Sequence, residues 1–374
     1  LFGGEGDGSL SRTMRGFGDV WDLGPPRVTG VWAASSSCPD AVWEWPWECG
    51  ATANEEVPTP RSNHAAVACG DHLLVFGGWS ADGSTPLAEP ELLHLETRCW
   101  THCSTTNAPP PPRGNPTLVY SQRRHLAVMY GGWNRRSRLD DLWCLDLESW
   151  AWHEAGKGGC GGPLPSARTD HTSVLWVESE SKEVMLVFGG STKEGGGATA
   201  ELWALDCSSG APSEWQWSDW TIREGGGAGP WPPPRTSHAA AIVGSGPNAR
   251  LIVVSGEDGR LGVGPAAIIA DAWVLSDLGS SRVWSRIEWK GIYPLQRCRH
   301  SLVLVDDDRD EKKETFAIVY GGYDGARTLD AHHSLFCAPL PRGEASSTAV
   351  PYPVVSSAED AKKRQQDRWV AERP

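Results

Sequence analysis

With 374 residues the chain can bury a substantial core, and its 43 Gly, 28 Pro and 21 Trp against 6 Phe, 6 Tyr and 3 Met suit short strands and turns over long helices. A formal net charge of -13 argues against a nucleic-acid partner, because no Lys/Arg stripe offsets it before Lys362, Lys363 and Arg364. No run of about eighteen apolar residues marks a membrane span, and the 10 Cys lack paired spacing, which predicts a reducing, cytoplasmic setting away from membranes.

In chain order, an apolar run ending in a glycine pair recurs: Leu1-Phe2-Gly3-Gly4, Leu73 to Gly78, Leu126 to Gly132, Met185 to Gly190 and Phe316 to Gly322. Leu251 to Gly256 is a weaker copy that ends in Ser255-Gly256. Leu1 stands in mid-repeat where a start would place Met, which predicts a fragment or a processed product. Each copy reads as a β-branched, aromatic strand running into a turn that needs φ > 0 or close backbone approach, at Gly77-Gly78, Gly131-Gly132, Gly189-Gly190 and Gly321-Gly322.

An acidic residue and an alternating strand follow each pair. They are Asp19-Val20-Trp21, Glu91 to Leu95, Asp141-Leu142-Trp143, Glu201-Leu202-Trp203 and Asp271-Ala272-Trp273. The last copy, Ser334-Leu335-Phe336, loses the Trp. A further strand carries Trp in alternation: Trp43, Trp45 and Trp47, then Trp100, Trp150 and Trp152, Trp215 and Trp217, and Trp284. Period two places such residues on one face.

Ahead of the glycine pairs stands Arg-x-x-His: Arg61 to His64, Arg168 to His171, Arg235 to His238 and Arg297 to His300. One unit departs from it, with Arg113-Gly114-Asn115-Pro116. One repeat therefore predicts four antiparallel strands: the run after Arg-x-x-His, the run into Gly-Gly, the acid-x-Trp strand and the Trp-rich strand. Such a unit at intervals of roughly fifty to seventy residues is the sequence mark of a propeller blade.

These units resemble Kelch repeats over nearly all of residues 1 to 340. The resemblance implies an all-β, Kelch-type β-propeller of about six four-stranded blades, with a seventh if upstream sequence is missing. Trp21, Trp143, Trp203, Trp273 and the glycine pairs would pack blade against blade, so Trp143→Ala is expected to cost about 3 to 5 kcal/mol if that ring is buried. The propeller is expected over 1–355, with Ala349 to Val355 as the stretch available for ring closure, followed by a charged, helix-capable tail over 356–374.

The resemblance also implies a non-catalytic protein-interaction scaffold, with substrate recognition inside a larger assembly among the roles open to it. Loops of unequal length, Ser80 to Pro90, Thr192 to Thr199 and Glu257 to Ala270, are where specificity is expected. The rival reading is a metal-dependent enzyme resembling galactose oxidase. Tyr130 and Tyr320 occupy the slot of Phe76 and Phe188 before Gly-Gly, so they read as core and not as metal ligands. Cys99 and Cys103, four residues apart along a strand, span roughly 13 Å and cannot chelate one zinc while extended. The acidic run Asp306 to Glu311 reads as a solvated hairpin loop. No cofactor is expected. Arg61, His64, Arg168, His171, Arg235, His238, Arg297 and His300 recur once per blade, which favours a structural task; they are also the candidates for partner contact.

Overall fold

The computed structural model describes residues 58–155, 163–192, 197–221, 230–259, 267–287, 296–304, 317–326 and 328–329 in full. It adds the backbone of strands at 5–7, 14–16, 20–23, 27–30, 42–44, 47–50, 305–307, 314–316 and 336–339. Among the described residues every regular element is a strand, apart from a short 3-10 turn at Pro212–Glu214.

Four sheets repeat one design. Blade 2 is Ala65–Cys69, His72–Phe76, Glu91–His94 and Trp100–His102, hydrogen-bonded in that order and antiparallel throughout. Blade 3 is Thr117–Ser121, Leu126–Tyr130, Leu142–Asp146 and Ala151–Glu154. Blade 4 (Thr172–Ser179, Lys182–Phe188, Leu202–Asp206, Gln216–Asp219) and blade 5 (Ala239–Val243, Arg250–Val254, Ala272–Ser276, Val283–Arg286) follow the same order. Blade 6 shows three strands, Ser301–Asp307, Glu314–Tyr320 and Phe336–Pro339. The strand order within each repeat is the one the sequence predicts.

First strands of successive blades lie side by side, from Ala65–Cys69 through Thr117–Ser121, Thr172–Ser179 and Ala239–Val243 to Ser301–Asp307. They are the inner strands of a propeller. In the N-terminal unit, Val20–Leu23 pairs with Trp47–Gly50, the third and fourth strands of a blade. Trp43 lies instead in a hairpin, Arg27–Gly30 with Val42–Glu44, inserted between them. Leu1 to Gly4, the turn of the acidic run, the stretch Ala349 to Val355 and the tail 356–374 lie outside the described residues. So does the closure of the ring.

The core lies between blades. Along Leu126–Tyr130, Ala127 and Met129 pack with Leu74, Phe76 and Trp152, whereas Val128 and Tyr130 pack with Met185, Val187, Trp215 and Trp217 of blade 4. Period two thus sends alternate residues into two different interfaces, which is why these strands are continuously apolar. Phe188 and Leu202 join Leu251, Val253, Trp273 and Trp284 in the next interface. Trp100, Trp152, Trp176, Trp215 and Trp284 are fully buried. Each such indole removes about 200 Å² from water, worth roughly 5 kcal/mol as an upper bound.

Trp203 and Trp273 are buried as expected of blade-packing rings, but Trp143 is only half-buried. Its ring meets Trp152 edge-on at 6.5 Å, and its indole N–H reaches out to Asp141 at 2.7 Å. The large loss expected for Trp143→Ala therefore belongs to Trp152.

Candidate functional site

Strand direction sorts the connections onto two faces. Inner strands start beside the Arg-x-x-His motif, the second strand returns to that end, and the Gly-Gly turn joins it there to the third strand. Gly-Gly loops, inter-blade connectors and Arg-x-x-His motifs therefore share one face, and hairpin turns such as 70–71 and 147–150 occupy the other. The three unequal loops, as far as they are described, fall on the motif face.

The motif arginines are enclosed. Arg61, Arg113, Arg168, Arg235 and Arg297 are at most 1% exposed. Each donates through Nη1 to the carbonyl of the first residue of its own glycine pair: Gly77, Gly131, Gly189, Ser255 and Gly321, at 2.9 to 3.2 Å. Four also meet the acid that opens the third strand. Arg113 grips Asp141 at 2.5 and 2.7 Å, Arg168 meets Glu201 at 2.5 Å, and Arg235 grips Asp271 at 2.7 and 3.2 Å. Arg61 sits 3.6 Å from Glu91. The acid then accepts the indole N–H two residues on, from Trp143, Trp203 and Trp273. Burial pushes the Asp141 carboxyl upward, but the Arg113 fork and the Trp143 N–H outweigh it and hold the group below its usual range.

A second bond links blade to blade. The N–H of the pair's second glycine donates to the next blade's motif arginine carbonyl: Gly78 to Arg113, Gly132 to Arg168, Gly190 to Arg235 and Gly256 to Arg297, each at 2.9 Å. Gly132 has φ +106°, and a Cβ there would stand 2.8 Å from the Gly114 carbonyl oxygen. Only glycine fits.

The motif histidines serve the same interfaces. His171 Nε2 shares a hydrogen bond with Thr117 Oγ1 at 2.9 Å, and His238 Nε2 with Thr172 Oγ1 at 2.8 Å, each Thr opening the preceding inner strand. The unit with Pro116 in place of His follows the blade whose inner strand opens with Ala65, which has no hydroxyl to satisfy. Burial, reinforced by Arg168, drives His171 down to about 3; burial drives His300 to about 3 and His238 well below the usual value, so all three stay neutral.

The third motif residue behaves differently. Asn63, Asn115, Asp170, Ser237 and Arg299 all adopt left-handed backbone, with φ of 51° to 57°. Asn115 N–H bonds the Asn63 carbonyl at 2.7 Å, and Ser237 and Arg299 bond Asp170 and Ser237 carbonyls at 2.8 Å, a belt running from blade to blade. Their side chains rim a cavity of about 200 Å³, lined also by His64, Pro116, His171 and His238. Asp170 accepts the Asn115 amide at 2.8 Å. Burial raises its carboxyl pKa, opposed by Arg299 and Arg138. The sequence reading missed these five positions and Arg113. A shared left-handed conformation leaves no residue-type signal beyond the two Asn and one Asp, and Arg113 was set aside because Pro116 breaks the pattern.

His94 and His102 are occupied locally: His94 Nδ1 accepts the Thr97 N–H at 3.2 Å, and His102 faces Glu91 at 3.4 Å. Cys103 is buried. Tyr130 is fully buried and its hydroxyl donates to the Pro165 carbonyl.

Inner strands side by side, with a Gly-Gly or Ser-Gly turn and a buried arginine in each of the described blades 2 to 6, define a Kelch-type β-propeller. The "KLHDC2/KLHL20/DRC7 Kelch-repeats domain" family model matches residues 38–176 and 157–337, and the chain belongs to the Kelch-repeat family. Similar proteins include Acyl-CoA-binding domain-containing protein 4 of Arabidopsis thaliana, 27% identical over 74% of this chain and 36% of that protein. Dynein regulatory complex subunit 7 of Chlamydomonas reinhardtii is 32% identical over 35% of this chain and 11% of its own length. Host cell factor 1 of Rattus norvegicus is 31% identical over 40% and 8%. The chain spans no more than 36% of these three relatives.

Proposed function

We propose that this propeller is a non-catalytic protein-interaction platform that recognises its partner on the motif face, as a part of a larger assembly. One observation carries the reading. The arginines that recur in the described blades are buried in its lock, while the third motif residues present different chemistry around one cavity, on the face that also carries the Gly-Gly loops. Its relatives support a role inside complexes, one being by name a subunit of the dynein regulatory complex. The buried motif arginines would act on a partner only by shaping that face; contact itself falls to the third positions and the loops.

A cytoplasmic partner is favoured over membrane or nucleic acid. The net charge of -13 repels phosphate, and no helix among the described residues is long and apolar enough to cross a membrane. Burial lifts the thiols of Cys103, Cys144, Cys207 and Cys298 to about 12, which makes them neutral packing groups.

Affinity capture with quantitative mass spectrometry tests the platform. Proteins retained by the wild type should be lost with Asn115→Trp, which blocks the motif-face cavity by bulk without adding charge, and kept with Glu148→Lys on the opposite face. Equal recovery by both variants would refute it. Elemental analysis of the purified chain should find no stoichiometric copper, iron or zinc; finding one would favour the enzyme reading.

A further inference from the structure

The anions of the motif face accept hydrogen bonds within the protein, whereas the guanidinium groups of two of its exposed arginines donate none among the described residues; one of these, Arg299, acts on Asp170 through space only. Asp82 accepts from Ser80 and Ser84, Asp170 from Asn115, Glu257 from Ser237 at 3.1 Å, and Asp324 from the Ala326 N–H at 2.8 Å. Arg136 and Arg299 are exposed, and among the described residues neither guanidinium makes a hydrogen bond. Arg299 stands at the cavity, and Arg136 lies in the blade 3 loop between Arg135 and Arg138, which places three arginines within four residues of a chain whose net charge is -13.

The same loop presents Trp133, 39% exposed and the one aromatic among the large exposed hydrophobic residues described. That ring is held in place. Its backbone exchanges hydrogen bonds with Gly114, at 2.8 and 2.9 Å, directly beside cavity residue Asn115. It meets Trp79 edge-on at 5.3 Å, and Arg135 lies 4.9 Å over Trp79 while donating to the Gly83 carbonyl. Asn134 Oδ1 accepts the N–H groups of Arg136 and Ser137 at 3.0 and 2.9 Å, which closes the loop. A preorganised Trp beside arginines is the composition that dominates binding energy at protein interfaces.

We propose that the Trp133–Arg138 loop and Arg299 dock an acidic linear segment of the partner. Its carboxylates meet the guanidinium groups of Arg136 and Arg299, and an apolar side chain of the segment covers Trp133. The assignment rests on the platform reading of the motif face and names the chemistry recognised there.

The test is selection of a random-peptide display library on the full chain, followed by fluorescence polarisation with one selected peptide. Asp and Glu should be enriched over the library, and binding should weaken with added salt. Arg136→Glu with Arg299→Gln should weaken it at least tenfold while the variant still unfolds in one cooperative urea transition, and Trp133→Ala should weaken it by about tenfold. Selected peptides that lack an acidic excess, yet are lost with Asn115→Trp, would overturn the acidic assignment and leave the platform standing. Peptides indifferent to both sets of changes, or no enrichment at all, would overturn both.

Discussion

Within one four-residue motif, two kinds of position behave in opposite ways. The first residue is Arg in all five described motifs and fully enclosed, and the fourth is a buried His at 171, 238 and 300. The third is Asn, Asn, Asp, Ser or Arg, always left-handed and always at the cavity or its rim. Repetition marks what the ring demands of every blade. Variation at a fixed backbone conformation marks where the ring leaves the side chain to other uses.

If the contrast is sound, the largest losses come from the interfaces. Trp152→Ala should cost about 3 to 5 kcal/mol in urea melts, and half-buried Trp143→Ala about 2. Equal losses would erase the distinction drawn between those two rings. Gly132→Ala must both leave φ +106° and push back the Gly114 carbonyl, so about 3 kcal/mol is expected. Gly70→Ala, also at positive φ but in open space, should cost about 1. The pair separates steric demand from backbone preference.

Acid sharpens the comparison from the histidine side. His171, His238 and His300 are held neutral in the fold and titrate near 6.5 when unfolded, so the unfolded chain binds more protons. Stability is complete above about pH 6.5 and falls from there toward about pH 3, each histidine adding a slope of about 1.4 kcal/mol per pH unit. His238→Gln should remove about a third of the slope between about pH 6 and pH 5. An unchanged slope would mean these rings are not the titrating groups. A small effect of about 1 kcal/mol is expected for Thr172→Val, from leaving His238 Nε2 without its hydroxyl.

The four strands, their order and the turn residues were legible because each obeys a local rule: period two, φ > 0 at glycine, an acid ahead of Trp. The contact between that acid and the motif arginine, separated by 28 residues in blade 3, leaves no local trace. Arg113 looked like an exception because His was used to find the motif. The structure makes His the variable partner: it bonds the Thr that opens the preceding strand at Thr117 and Thr172, gives way to Pro116 after Ala65, and is kept as His300 after Ala239. Burial of Trp143 was overread: it shares the acid bond with Trp203 and Trp273, yet those two rings are buried and it is only half-buried. The third positions were passed over for the very feature that makes them useful: they do not repeat.

The measurement that bears most directly on this account is equilibrium urea unfolding of Arg113→Ala beside Arg299→Ala. Arg113→Ala strands the half-buried Asp141 carboxylate beside the enclosed cavity left by the arginine and should lose about 3 kcal/mol, whereas exposed Arg299→Ala, which loses only a through-space attraction to Asp170, should lose about 1 or less. Comparable losses for the two, or a near-neutral Arg113→Ala, would contradict the division of the motif into lock and recognition surface.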